Sequence, residues 1–228
     1  MTAAEAASAR RHERAAVDSQ IADDVCAFLA RGDRVEAGER FAEMVDRHQR
    51  RATRIAYYYL RDPAEVDEAV QDAFLKAFVN IRSFRERQYF EVWFTRILVN
   101  GCLDRMKSRA RRNRWIVPAG DGDGYCDQRE ELERRPALEP SPEAMLLGAE
   151  RRAELLAAVD RLPERQRAVV ILSQFVGHTT RDVAAMLSLT EATVRVHLFR
   201  AIRSLRRILG TEHWFTEKLV RTDEATRA

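Results

Sequence analysis

The residues best suited to chemistry in this sequence lie close together near the carboxyl end of the chain. If residues 191–209 form a helix, with about 100° between successive side chains, one face carries arginines beside apolar side chains: Arg195, Val196, Phe199, Arg200, Arg203 and Arg207. Arginine can bind guanine edges and phosphates, and an apolar side chain can contact the methyl group of thymine. The pattern predicts a helix face that recognises DNA, which we favour over an ordinary solvated basic face.

Two short helical patterns would position this face. The first covers Asp182–Leu187, with apolar residues on one side. The second begins at a cap formed by Thr190 and Glu191, and its side opposite the arginines carries an apolar stripe: Val194, Leu198, Ala201, Ile202, Leu205 and Leu209. A capped helix that follows a tight polar turn, with a buried stripe at three- and four-residue spacing, predicts a helix-turn-helix.

A second candidate site lies on a predicted helix over Phe90–Arg109. Its apolar stripe contains Phe90, Phe94, Ile97 and Gly101, and a neighbouring stripe contains Trp93, Arg96, Asn100 and Lys107. The helix ends in a basic run: Arg105, Lys107, Arg109, Arg111, Arg112 and Arg114. An aromatic ring can stack on bases while cations follow phosphates, as in single-stranded nucleic-acid binding. The residues alone support equally a buried Trp93 and a solvated helix end.

A third candidate site is acidic. Asp62 and Pro63 end one predicted helix, because proline lacks an amide donor and restricts the preceding residue. The next helix, about Ala64–Asn80, carries four acids, Glu65, Asp67, Glu68 and Asp72, around Val70, Phe74 and Phe78. Acids near a helix amino end suit the helix dipole. On this evidence alone, capping and solubility explain them better than a partner does.

Composition excludes several classes of protein. The 228 residues carry a net charge of +3, and their three cysteines, Cys26, Cys102 and Cys126, show no zinc-binding spacing. No apolar run reaches the roughly 18 residues of a membrane span, and the amino end lacks the apolar core of a secretory signal. Scattered histidines and the lack of a phosphate loop or nucleophile motif argue against catalysis. We expect a soluble cytoplasmic protein without enzymatic activity, metal or cofactor.

The predicted fold is all-α, with two small helical domains joined by a flexible acidic linker. Residues 1–20 are small and charged without an apolar stripe, which predicts a flexible extension. Residues 21–114 and 143–210 are the two helical domains. Residues 115–142 combine glycine, proline and acids in a pattern typical of a flexible linker, and residues 211–228 form a tail.

Taken together, these motifs resemble a known family. Residues 29–81 and 84–112 resemble region 2 of bacterial sigma-70 family sigma factors, and residues 162–209 resemble region 4. The chain is similar to the extracytoplasmic-function group, whose members keep only these two regions. The resemblance covers both predicted domains in the family's order, with the acidic linker between them.

The resemblance implies a transcription-initiation role with specific residues. Core RNA polymerase would bind through its β′ clamp helices to the acidic helix, at Asp67, Glu68, Gln71, Asp72 and Phe74. This implication replaces the capping interpretation. Region 4 would also contact the β flap, and the linker would extend toward the polymerase active-site cleft and RNA exit path.

The resemblance also implies two promoter contacts. The loop at residues 82–89 would capture a −10 base, and melting and −10 contacts would involve Arg85, Tyr89, Trp93, Arg96, Asn100 and Lys107. The −35 element would meet Arg195, Val196, His197, Phe199, Arg200 and Arg203. Family members are often restrained by an anti-sigma factor, a partner that no residue here identifies.

Some positions depart from the family pattern, and two other functions compete. The family often has Ser-Arg at residues 196–197, glycine in the loop at 85–89, and Gly-Leu-Ser near residue 177, so promoter preference is open. A stand-alone helix-turn-helix regulator would bind duplex operators but leaves the acidic helix unexplained. An enzyme acting on nucleic acid would need a metal or nucleophile constellation that the sequence lacks.

Overall fold

The computed structural model describes residues 3–84, 89–115 and 142–210. Within these ranges the chain is helical and contains no strand, which confirms the all-α prediction. The helices are α1 (Ala3–Ala30), α2 (Arg34–Leu60), α3 (Pro63–Val79), α4 (Phe90–Trp115), α5 (Pro142–Asp160), α6 (Glu164–Val170), α7 (Thr180–Leu187) and α8 (Glu191–Leu209). A short 3₁₀ turn follows α3 at Ile81–Ser83, and a π turn extends α6 at Ile171–Phe175.

The chain divides into two compact units, the first built on α1 to α4 and the second on α5, α6 and α8. Most of the predicted linker, residues 116–141, lies outside the described residues, as does the predicted tail at 211–228. The exact domain boundaries therefore stay predictions. None of the described helices contains an apolar stretch long enough to cross a membrane.

The amino-terminal segment differs from the expectation. Residues 1–20 were expected to form a flexible extension, but α1 is helical from Ala3 and continues to Ala30. Alanine and arginine favour helix strongly, so the composition suits a helix although no long apolar stripe marks one. Three apolar side chains in the carboxyl-terminal half of α1, Ile21, Ala22 and Val25, are buried and dock it against the rest of the first unit.

A buried charge adds to this docking. Asp18 of α1 is only 3% exposed. Its carboxylate accepts hydrogen bonds from Arg47 Nε at 2.8 Å and from His48 Nε2 at 3.0 Å, both on α2. Burial alone would raise the pKa of Asp18, but the hydrogen bonds and charges of His48 and Arg47 outweigh it and hold the pKa below its ordinary value. A polar contact of this kind leaves no apolar periodicity in the sequence.

Capping residues separate α2 from α3 as the sequence predicts. Helix α2 ends at Leu60, and Arg61 adopts a left-handed conformation, with φ of 63°. Asp62 then caps α3, accepting hydrogen bonds from the amides of Ala64 at 2.9 Å and Glu65 at 3.1 Å. Pro63 begins the helix, where its missing amide proton has no cost.

Aromatic rings fill the space between α2, α3 and α4. Phe74 stacks on Phe94 with ring centroids 4.4 Å apart, and Phe94 stacks on Phe90 at 5.7 Å. Phe41 of α2 meets Phe74 edge-on at 6.5 Å. Because such pairs have preferred geometries, this cluster fixes which side of each helix faces inward.

The second unit presents α8 on a capped turn. Thr179 and Asp182 cap α7 reciprocally, with the Asp182 carboxylate 2.8 Å from the Thr179 hydroxyl. Thr190 caps α8 by accepting a hydrogen bond from the amide of Thr193 at 3.2 Å, and Gly210 ends the helix with φ of 73°. These caps confirm the predicted helix-turn-helix.

We expect Asp18→Asn to lower the free energy of unfolding by roughly 2 kcal/mol at pH 7, because hydrogen bonds to a charged group are lost at a buried site. Asp23→Asn, at an exposed position of the same helix, should change it by less than about 0.5 kcal/mol. Urea unfolding followed by tryptophan fluorescence measures both variants.

The pH dependence follows from the lowered pKa of Asp18. The carboxylate's contribution is complete above the ordinary value and is lost as the pH falls through the folded-state pKa. The difference between wild type and Asp18→Asn should therefore shrink below about pH 4. A constant difference down to pH 3 would contradict this role of the charge.

Candidate polymerase and DNA interfaces

One surface of α3 is acidic and exposed. The face opposite its buried residues presents four polar side chains, here called the acidic face: Asp67, Glu68, Gln71 and Asp72. The buried side, which includes Val66, Ala69 and Ala73, packs into the first unit. The predicted polymerase-binding acids thus lie together on solvent.

The acidic face is partly paired within the chain. Arg105 of α4 donates from Nη1 to Glu68 Oε2 at 2.8 Å and from Nη2 to Asp72 Oδ2 at 2.5 Å. The hydrogen bond to Glu68, and then that to Asp72, outweigh partial burial and raise the pKa of Arg105. Asp67 makes no ion pair within the described ranges. The sequence did not reveal this pairing, because it joins residues more than thirty positions apart.

Phe74 corrects one prediction. The family resemblance placed it among the polymerase-binding residues, but its side chain is 7% exposed and stacks on Phe94. A ring in that position is not accessible to a partner unless α3 separates from α4. Phe74 therefore belongs to the core that holds the acidic face, and not to the face itself.

Two apolar residues extend the acidic face and were missed from the sequence. Leu75 is 65% exposed and Val79 is 77% exposed. They continue the four-residue spacing of Asp67 and Gln71, and that spacing was the available signal. Helix α3 thus offers an acidic half followed by an apolar half, a combination that suits a partner with both basic and apolar side chains.

A groove of about 330 Å³ separates α3 from α4 beside this surface. Small residues line part of it, including Ala69, Ala73 and Gly101. Its other lining residues are mostly charged and include Glu65, Asp72, Lys76, Asp104 and Arg105. The groove therefore offers room for a side chain of a partner docked on the acidic face.

The predicted −10 residues occupy the outer side of α4. Arg96, Asn100 and Lys107 are exposed. Trp93 is half-buried, with its ring centroid 5.7 Å from that of Phe84 and 5.6 Å from that of Phe90. Part of the ring therefore packs on the core while the rest remains accessible, and its −10 role stays a prediction. Arg85 lies outside the described residues.

Tyr89, at the start of α4, is covered by α1. Its hydroxyl lies 3.2 Å from Nε2 of His12, and the guanidinium carbon of Arg11 lies 4.5 Å from the centre of its ring. This contact was not predictable from the sequence, because residues 1–20 carry no apolar stripe that indicates a packed helix. The predicted −10 surface is thus continuous with the amino-terminal helix.

The face of α8 that is predicted to recognise DNA is exposed to solvent. Phe199 is 68% exposed and Val196 is 47% exposed. The arginines Arg195, Arg200 and Arg203 are exposed as well. His197 is only half-exposed, since it lies three residues from the buried Val194 and borders the packed side.

Family models match the two halves of the chain. Residues 44–112 match sigma-70 region 2 and residues 152–205 match sigma-70 region 4. The chain is 33% identical over 176 residues to the ECF RNA polymerase sigma factor SigM of Mycobacterium tuberculosis, covering 76% of this chain and 80% of the relative. It is 30% identical over 173 residues to the ECF RNA polymerase sigma-E factor of Escherichia coli, covering 74% and 87%.

The chain belongs to the extracytoplasmic-function group of the sigma-70 family. It is an RNA polymerase sigma factor. This identification favours a function in transcription initiation over that of a stand-alone regulator. In this sigma factor, region 2 contains most of α2, with α3 and most of α4, and region 4 contains α8 with the helices before it. Helix α1 precedes the residues that match region 2.

Solved structures show the same fold for this sigma factor. CnrH, solved in complex with the cytosolic domain of CnrY, is similar with a TM-score of 0.57 and 21% identity, covering 86% of this chain and 99% of that one. The sigma factor RpoE of Bartonella quintana, solved with the anti-sigma factor NepR, gives a TM-score of 0.55 and 20% identity, covering 76% and 98%.

The correction of Phe74 leads to a paired prediction. Phe74→Ala should cost about 3–5 kcal/mol of unfolding free energy, because it opens a cavity in the aromatic cluster. Leu75→Ala, at the next residue but 65% exposed, should cost less than about 1 kcal/mol. Urea unfolding compares the two. Equal costs would show that Phe74 is not a core residue of this sigma factor.

Proposed function

We propose that this sigma factor acts in the cytoplasm as a non-catalytic specificity subunit, using α3 to bind core RNA polymerase and α4 and α8 to bind promoter DNA. The observation that carries the proposal is that the acidic residues and the residues predicted to contact DNA lie on different helices of the first unit. The acidic face lies on α3, whereas Arg96 and Asn100 lie on α4 about 100° away from the residues that face α3. Polymerase and DNA can then occupy neighbouring surfaces together.

Electrostatics favours polymerase docking on the acidic face. The resemblance to region 2 implies basic side chains on the β′ clamp helices as the partner. Complementary charge steers association and fixes register. Asp67 is available at once, whereas Glu68 and Asp72 already contact Arg105. Exposed ion pairs contribute only about 0–1 kcal/mol, so incoming cations can share or replace Arg105 at little cost.

The apolar residues beyond the acids add the desolvated part of this interface. Leu75 and Val79 expose most of their side chains. Burial of exposed apolar surface contributes roughly 25 cal/mol per Å² of area removed from water. Their position supports a docking surface that runs along most of α3, with charge setting orientation and apolar contact adding affinity.

We expect Asp67→Lys to weaken binding to core polymerase at least about tenfold, because a repulsive charge replaces an attractive one at an interface. The control is Glu39→Lys, which makes the same charge change at an exposed position of α2. Fluorescence anisotropy of labelled protein titrated with core enzyme measures both affinities. If the two variants bind equally well, the acidic face is not the docking site.

Two surfaces support promoter recognition. On α4, Trp93 packs against Phe84 and Phe90 and is half-buried, so the exposed part of the ring is available for base contact beside Arg96 and Asn100. Stacking of a base on an aromatic side chain contributes about 1–3 kcal/mol. On α8, Arg195 and Phe199 lie in the amino-terminal half and Arg200 lies at the middle of the helix. The amino-terminal part of a recognition helix is the part that reaches base edges.

We expect Arg200→Ala to relax sequence preference in the −35 element, because a bidentate arginine–guanine contact discriminates by about 1–3 kcal/mol. Arg207→Ala, on the same helix but nearer its carboxyl end, should lower affinity for all sequences equally and reduce the salt dependence. Transcription of a promoter library with a randomised −35 element distinguishes them. Unchanged preferences in Arg200→Ala would mean that this residue positions the helix without reading bases.

Transcription start mapping tests the function as a whole. Core polymerase supplied with this protein should initiate at a set of sites that core enzyme alone does not use, and these sites should share −35 and −10 sequences. Starts that do not change on addition of the protein, together with tight duplex binding without polymerase, would support the stand-alone regulator instead.

The sigma factor RpoE, whose structure was solved with an anti-sigma factor, supports one further partner. We propose that a restraining protein of that kind competes with polymerase for the exposed apolar half of α3. Leu75 and Val79 are the largest exposed apolar side chains of this helix. A protein that covered them would block polymerase docking without disturbing the hydrophobic core of the first unit.

A further inference from the structure

An arginine stripe on α2 lies outside the surfaces described above. Arg47, Arg51 and Arg54 follow one another at four- and three-residue spacing and so share one face of the helix. On the facing helix, Arg11 and Arg14 share one side of α1 at three-residue spacing. We name these five residues the α1–α2 basic surface.

Contacts between the two helices bring these arginines together. Arg47 Nη2 donates to the backbone carbonyl of Arg14 at 3.4 Å, and Arg47 Nε also holds the buried carboxylate of Asp18. Arg51 pairs with Glu91, at the first turn of α4, at 2.5 Å. The surface is therefore built from α1, α2 and the start of α4.

Positive charge exceeds negative charge around Arg51. Burial lowers the pKa of Arg51, and Glu91 opposes that effect, but the charges of Arg54, Arg11 and Arg14 lower the pKa further. Three arginines thus act against one carboxylate at this point. On the same two helices, Asp18 pairs with Arg47 and Glu43 pairs with Arg40. Glu13 and Asp46 lie about 100° round their helices from the nearest arginine of the surface.

The basic surface adjoins the predicted −10 site. Arg11 lies over the ring of Tyr89 at 4.5 Å, and the neighbouring His12 lies within 3.2 Å of its hydroxyl. Tyr89 immediately precedes α4, the helix that carries Trp93 and Asn100. A nucleic-acid strand that contacts Tyr89 would therefore continue directly onto the arginines of α1 and α2.

We propose that the α1–α2 basic surface binds the sugar–phosphate backbone of promoter DNA next to the −10 element. The inference rests on the proposed function and adds to it a second, sequence-independent contact. Clustered arginines fit the phosphates of a strand that passes beside Tyr89. Arg11 and Arg14 precede residues 44–112, which match region 2.

The test uses holoenzyme and a promoter identified by transcription start mapping with the wild-type protein. The variant is Arg11→Gln with Arg14→Gln, and the matched control is Arg31→Gln with Arg34→Gln, which removes the same charge at the opposite ends of α1 and α2. Promoter affinity is measured across a salt series by fluorescence anisotropy. Core-polymerase affinity and helical circular dichroism are measured for each protein.

We expect the Arg11 and Arg14 variant to bind promoter DNA about tenfold more weakly at 0.15 M salt, with a salt slope lower by about 1 to 2, because each lost phosphate contact removes about 0.7–0.9 from the slope. Core-polymerase affinity and helicity should match wild type. The control should match wild type in every measurement.

Three results would overturn the inference while leaving the proposed function intact. An unchanged affinity and slope would show that the surface does not contact DNA. Tighter DNA binding by the variant would show that Arg11 masks Tyr89. Weaker core binding would assign the surface to polymerase. If start mapping with wild type finds no new start sites, the proposed function itself fails, and the inference fails with it.

Discussion

The stack of Phe74 on Phe94 is the contact on which both surfaces of the first unit depend. Its ring centroids lie 4.4 Å apart, at the junction of α3 and α4. Because each helix must direct this ring inward, the rotation of each helix about its own axis is fixed. As a result, the acidic face of α3 and the Asn100 side chain of α4 are both exposed to solvent. A buried core thus positions the two surfaces that are proposed to bind polymerase and DNA.

Charge serves two opposite purposes in this sigma factor, and burial decides which. Asp18 is buried, so its hydrogen bonds with Arg47 and His48 hold α1 in place, and breaking such a contact is costly. Glu68 and Asp72 are exposed, so their pairing with Arg105 is weak and exchangeable. The first arrangement suits a permanent contact between helices. The second suits a surface that must exchange an internal partner for an external one.

Local signals made much of this structure predictable. The break at Asp62 and Pro63 and the Thr190 cap of α8 depend on residues a few positions apart. The sequence failed where distant residues decide the outcome. Helix α1 is docked partly by a polar contact between Asp18 and α2. Because such a contact leaves no apolar stripe, the sequence did not indicate a packed helix there. The pairing of Arg105 and the burial of Phe74 both depend on the packing of α4 against α3. The family motif predicts which helix binds polymerase, but it does not indicate which side chains of that helix are accessible.

Site-specific photo-cross-linking tests most directly whether α3 and α4 serve polymerase and DNA separately. A photoreactive amino acid would replace Gln71 on the acidic face or Asn100 on α4, both exposed, and the holoenzyme would be irradiated on promoter DNA. The account predicts that position 71 cross-links to the polymerase β′ subunit and position 100 to the DNA strand of the −10 region. Cross-linking of both positions to the same partner, or of position 71 to DNA, would contradict it.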